Sequence, residues 1–206
     1  MENRINYQRE LDRLLEQLER EGKTPSLLLH SCCAPCSSYV LEYLSRYFLI
    51  TLLYYNPNIS PEEEYRRRAA EQQRLIAALP AAHPISFVEG EYQPERFYAA
   101  AQGLEQEPEG GERCFRCYAL RLREAALAAR ERSLDFFTTT LSISPLKNAQ
   151  KLNQIGLEIA AEVGVRYLCG DFKKKNGYKR SIELSAQYGL YRQDYCGCVF
   201  SQRKNP

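Results

Sequence analysis

The chain has 206 residues, 26% charged and 44% hydrophobic, a balance ordinary for a globular protein long enough to bury a full core. Its formal net charge of +2 is too small to announce a polyanionic partner, so any such claim rests on where the charge sits. The opening Met-Glu-Asn-Arg-Ile-Asn-Tyr lacks a basic-then-apolar leader, and no apolar run nears the roughly 20 residues that a bilayer span needs. No membrane partner is expected, and the expected location is cytoplasmic. Eight cysteines in such a reducing compartment read as ligands or catalysts rather than disulfides.

Residues 5–21 are expected to form an amphipathic helix, with Leu11, Leu14, Leu15 and Leu18 on one face and Gly22 as its stop. Its plain role is packing. Leu27 to Leu29 then reads as a buried strand that runs into Cys32, Cys33 and Cys36. Pro35 suits a first helical turn, so the three thiols sit where a strand gives way to a helix N-terminus, an environment that favours thiolate. That helix is expected to reach about Tyr47, followed by a strand over Phe48 to Tyr55. Ser60-Pro61-Glu62-Glu63-Glu64 predicts another helix, capped by the serine and carrying Arg66, Arg67 and Arg68. Ile85 to Val88 reads as a strand, Pro94 to Ala101 as a short helix, and 103–113 as a loop.

Cys114 and Cys117 open the next helix, three apart and therefore on one face, which suits chelation of one metal centre. A strand over Asp135 to Thr139 leads into a hydroxyl-rich loop, Thr138 to Ser142. A helix from after Lys147 to about Val163, a strand over Val165 to Leu168 and a last helix ending near Tyr188-Gly189 complete the pattern. Alternating strands and helices predict an α/β fold, a mostly parallel sheet covered by helices on both faces, whose ligands gather beyond the strand carboxyl ends. The thiol turn, the Thr/Ser loop and the basic loop after Gly170 are expected to converge on one rim. No repeat or linker divides the chain, so the expected organisation is an N-terminal helix over 1–25 and a single α/β catalytic domain over 26–206.

Apart from Cys169, the cysteines form three local sets: Cys32, Cys33 and Cys36; Cys114 and Cys117; Cys196 and Cys198. One zinc ion or one cubane cluster takes four thiolates, so these seven either leave three spare or hold two adjacent centres. Two centres require neighbouring ligands to face different ways, which adjacent Cys32 and Cys33 are expected to do. A structural zinc site remains open on spacing alone. A redox dithiol at Cys33 and Cys36 would leave the four cysteines of the other two sets idle. His30, on the strand entering the thiol turn, reads as a hydrogen-bonded core residue. Acid chemistry falls to tyrosine, lysine or a carboxylate such as Asp171. Lys173, Lys174, Lys175, Lys179 and Arg180, beside Phe172 and Tyr178, suit an RNA backbone with unstacked bases, although a solvated loop is the commoner meaning of such a run.

Five stretches in unchanged order carry a resemblance. They are His30-Ser-Cys-Cys-Ala-Pro-Cys36, Glu112-Arg-Cys-Phe-Arg-Cys-Tyr118, Phe137-Thr-Thr-Thr-Leu141 with Ser144-Pro-Leu-Lys147, Asp171-Phe-Lys, and Leu190-Tyr-Arg-Gln-Asp-Tyr-Cys-Gly-Cys198. Over about residues 26–202 the chain resembles the QueH type of epoxyqueuosine reductase. That resemblance implies a fold of the HUP type, shared with PP-loop ATPases, and reduction of the epoxide of epoxyqueuosine at the wobble position of tRNA. It also implies a [4Fe-4S] cluster and an adjacent mononuclear iron held by the seven thiols, with electrons from an unidentified donor. Cys36 is the first candidate for the separate iron. Cys32, Cys36 and Asp171 are the expected catalytic residues, and Lys147, Tyr178, Arg192 and the basic run the expected RNA contacts. No serine- and glycine-rich phosphate loop is present, so ATP is not expected. A zinc-bearing RNA-binding module and a PP-loop-like tRNA thiolase are the alternatives. Cys169 matches no motif of the family and is expected to be a buried strand-end residue.

Overall fold

The computed structural model describes residues 5–202. Residues 1–4 of the expected N-terminal segment and 203–206 of the expected catalytic domain lie outside them. Five parallel strands form one sheet: β1 (Ser26–Ser31), β2 (Leu49–Tyr54), β3 (Ile85–Glu89), β4 (Phe136–Thr139) and β5 (Arg166–Tyr167), in the order β3-β2-β1-β4-β5. The order reverses at the β1–β4 pair, where Leu27 lies opposite Phe136 and His30 opposite Thr139. In open α/β sheets ligands bind in the crevice at such a reversal.

Strand alternation sends side chains to two cores. Leu27, Leu29, Ile50, Leu52 and Phe136 pack on one face with α1 (Tyr7–Glu21), α2 (Ala34–Leu44) and α3 (Glu62–Ala78). Leu28, Leu53 and Phe137 pack on the other with α5 (Glu112–Glu131) and α6 (Ala149–Val163). Both faces are therefore covered, which is why the strands read as near-continuous apolar runs. Gly156 on α6 lies directly against the Tyr167 ring, leaving no room for a Cβ. Helices α4 (Pro94–Ala101) and α7 (Gly177–Gln187) complete the set. No helix among the described residues is long and apolar enough to cross a membrane.

Local expectations need three corrections. Ser60 does not cap α3: Pro61, which has no side-chain acceptor, takes the cap position, and the Ser60 amide donates to the Gly197 carbonyl at 2.9 Å. Helix α2 stops at Leu44 rather than near Tyr47, since a tight turn is needed to feed Leu49 into the sheet. Strand β5 covers Arg166–Tyr167 alone, so Cys169 lies beyond the strand end and is partly exposed.

Candidate metal centre

Strand β1 ends at Ser31 and α2 begins at Ala34, leaving Cys32 and Cys33 to make the turn. Cys33 is the cap residue of α2, with extended backbone (φ −173°, ψ 160°), and Pro35 occupies the first turn. The sulfurs of Cys32, Cys33 and Cys36 all lie within 4.8 Å of one another, the one such group of potential ligands among the described residues. Cys32 and Cys33 were expected to diverge, yet their sulfurs are 3.8 Å apart. Strand alternation stops at this turn, and the chain folds both side chains toward the same crevice. With metal–sulfur bonds of about 2.3 Å, a tetrahedral ion spaces its sulfurs by about 3.8 Å, so this turn suits a single ion. Without metal the three thiols share protons. Hydrogen bonds from Cys33 and Cys36 hold the Cys32 thiol well below its ordinary range, and donation to Cys32 pushes Cys33 up to about 12.

A second thiol group is assembled from distant segments. Cys114 and Cys117, at the start of α5, line a small cavity together with Cys196 and Cys198 of the C-terminal strap. Unlike the first three, they do not make a closely gathered group of potential ligands among the described residues. The strap is pinned to α3: Arg68, 2% exposed, donates to the Cys196 carbonyl at 3.2 Å and to Glu64 at 2.6 Å. Tyr191 also donates to Glu64, at 3.2 Å. Gly197 has φ of +112°, and a Cβ there would sit 2.9 Å from Ile59 and 3.0 Å from Arg68. Only glycine suits that position.

Positive charge is buried around both groups. Arg121, one turn after Cys117, donates to the Cys117 carbonyl at 3.3 Å and is 1% exposed. Burial disfavours its charge, but Cys117, Cys196 and Cys32 more than offset this and keep it protonated. The Lys147 ammonium sits 3.2 Å from the Cys196 sulfur and 3.1 Å from Glu109. Its pKa is raised despite burial, chiefly by Cys196. His30 is neutral, lowered to about 4 by burial and by Arg121, with Nδ1 2.8 Å from the Thr139 hydroxyl and Nε2 3.0 Å from the Tyr55 carbonyl. Its expected core role holds.

Above the first thiol group opens a cavity of about 440 Å³. Cys32, Cys33 and Cys36 line one side, Leu141 and Ile143 of the turn after β4 another, and Arg192 to Cys196 of the strap a third. Glu109, Lys147 and Cys196 line both this cavity and the small one holding the second thiol group, so they form the wall between them. The family model for epoxyqueuosine reductase QueH matches residues 27–204, the span containing every thiol of the two groups.

The chain belongs to the QueH family. A QueH relative named epoxyqueuosine reductase from Staphylococcus epidermidis is 44% identical over 205 residues, covering 98% of this chain and 86% of that protein. One of the same name from Streptococcus pyogenes is 43% identical, covering 97% and 79%, and one from Thermotoga maritima is 36% identical, covering 85% and 90%.

Within this QueH fold the residues expected to contact RNA go to different places. Lys147 is buried in the wall between the cavities. Tyr178 and Arg192 line the large cavity. Lys173 pairs with Asp171 at 2.9 Å, Lys175 with Asp12 at 2.6 Å, and Arg180 with Glu42 at 2.7 Å. Lys174 and Lys179 are exposed and carry no ion pair among the described residues. Asp171 lines neither cavity. The thiol turn and the loop after β4 do converge on one rim, whereas the basic run contributes only Tyr178 to it. Sequence reading missed Arg68, Glu109, Tyr118 and Arg121 around the thiols. Arg121 had a signal, lying one helical turn from Cys117 on the same face. Tyr118 had the same signal, one turn after Cys114, whereas Arg68 and Glu109 reach the site through tertiary packing.

Proposed function

We propose that this chain reduces the epoxide of epoxyqueuosine, at the wobble position of tRNA, to the cyclopentene of queuosine, in the cytoplasm and with electrons from a separate donor. The observation that carries this reading is the pairing of two thiol groups across one wall, with the three-thiol group open to a cavity. In this reading Cys114, Cys117, Cys196 and Cys198 hold a [4Fe-4S] cluster, and Cys32, Cys33 and Cys36 hold a mononuclear iron. The donor set fits. Three closely gathered sulfurs suit one ion, and four cysteines around one separate cavity suit a centre with iron and sulfide between them. Tyr118 Oη, Arg121 Nη2 and Arg113 Nε, which belong to residues lining the small cavity, are buried without hydrogen-bond partners, as donors to sulfide would be in a cluster-free chain. Buried donors left unpaired are costly, so their gathering here has a purpose.

When bound, the metals would supply electrons and a Lewis-acid site for the epoxide oxygen. The protein's own contribution is positional and electrostatic. Arg68, Arg121 and Lys147 balance the thiolate charge in a buried setting, and the strap forms one wall of the cavity. Opening an epoxide to an alkene consumes two electrons and two protons and releases water.

The reading is tested by incubating anaerobically purified, iron-loaded protein with a chemical reductant and an anticodon stem-loop carrying epoxyqueuosine, followed by nucleoside mass spectrometry. Loss of one oxygen from the modified nucleoside, without added ATP, is the expected result. No conversion by iron-loaded protein would overturn the assignment. A colourless protein with zinc and no sulfide would point instead to an RNA-binding module.

A further inference from the structure

The large cavity is more than a room over the thiols. Its strap wall carries Gln193 and Asp194 in succession, and neither has a side-chain hydrogen bond or ion pair among the described residues. Gln193 Oε1 is buried with no partner, a costly arrangement unless a ligand supplies a donor. Of the nearby basic side chains, Arg68 is held by Glu64 and Cys196 but leaves Nη2 buried without a partner, Lys147 is held by Glu109 and Cys196, and Arg192 gives one hydrogen bond to Ser185. The wall therefore presents free acceptors, buried Gln193 Oε1 and the exposed Asp194 carboxylate, beside the unpaired Arg68 Nη2. Tyr178, 37% exposed at the start of α7, adds an accessible ring to the same cavity.

We infer that Asp194, assisted by Gln193, reads the Watson–Crick edge of a guanine-type base, with Tyr178 stacking on its face. The inference rests on the proposed substrate and names what selects it. A carboxylate only accepts hydrogen bonds. Among the standard bases, guanine alone offers two neighbouring donors on that edge, N1–H and the exocyclic N2 amine. Adenine and cytosine each place a donor beside an acceptor, and uracil flanks its one donor with acceptors. Exchanging carbon for nitrogen in the five-membered ring, as in queuosine nucleosides, leaves the guanine edge intact. Reading it at the strap would leave the ring substituent to reach the three thiols. Single-stranded RNA is recognised in this way, by unstacked bases held on aromatic rings and read at their edges.

The test uses iron-loaded protein and two fluorescent anticodon stem-loops that differ only at the wobble base, one with guanosine and one with inosine, which lacks the exocyclic amine. Wild type should bind the guanosine loop about tenfold or more tightly than the inosine loop by fluorescence anisotropy. Asp194→Ala should bind both loops alike, at the weaker affinity, with iron and sulfide content unchanged. Equal binding of the two loops by wild type, undetectable binding of either, or a preference that survives Asp194→Ala would overturn the inference. Binding needs no turnover, so the outcome is separable from the reductase assay. A preserved preference without conversion sinks the reductase reading alone, and conversion without preference sinks this one alone.

Discussion

The two thiol groups are built in opposite ways. Cys32, Cys33 and Cys36 come from one turn between β1 and the start of α2, with Pro35 in the first helical turn, and their sulfurs gather within 4.8 Å inside five consecutive residues. Cys114 and Cys117 meet Cys196 and Cys198 across the fold, where Arg68 and Glu64 of α3 and the Ser60 amide hold the strap and Cys198 packs with Cys117 and Phe97. The first group depends on local backbone geometry, and the second on tertiary structure. Loss of one should therefore leave the other, and their metal signatures should separate.

The largest expected effect is at the assembled group. Cys196→Ser should abolish acid-labile sulfide and most iron, with activity falling by more than about 100-fold, while about one iron stays on the three-thiol turn. Iron, sulfide and activity measured on the same anaerobic preparation check this. Cys36→Ala should do the converse, removing about one iron and the activity while most visible cluster absorbance and sulfide remain. Full activity in that variant would remove the turn from the chemistry. Lys147→Met is a milder change at the shared wall. Loss of a positive charge beside Cys196 should lower the reduction potential of the four-thiol centre and cut activity by about 10–100-fold without loss of sulfide. Potentiometric titration followed by visible absorbance reads it.

How much of this was legible in the sequence follows the same division. The α/β class came from strand–helix alternation, and the site's location from the rule that ligands lie beyond strand ends. The thiol turn was visible as a motif, although its geometry was misjudged. Alternation predicts that Cys32 and Cys33 diverge, but it does not survive a strand-to-helix junction. The four-thiol group was visible as spacing and resemblance, while the residues that assemble it were not. Arg68 sits in an arginine run that looks like a solvated helix face, and only packing against the strap shows that it is buried. The basic run shows the reverse case. Its charge suggested a continuous RNA contact, yet three of its members face carboxylates on the protein. Sequence gives the charge but not the partner.

Smaller effects sharpen that last point. Leu15→Ala on α1 should cost about 2–5 kcal/mol of stability, read by urea denaturation, without altering iron or sulfide per folded chain, because Leu15 lies in the core and lines neither cavity. Replacing both Lys174 and Lys179 with Ala should weaken stem-loop binding only a few-fold and lower the slope of log affinity against log salt by about 1.4. Replacing Lys175, which is paired with Asp12, should change that slope less.

The account stands most directly on the metal content of wild-type protein purified without oxygen. It predicts about five irons and about four acid-labile sulfides per chain, a cluster on the strap and α5 thiols and one further iron on the turn. One zinc with no sulfide, or irons and sulfides in equal number with nothing left for the three-thiol turn, would contradict it.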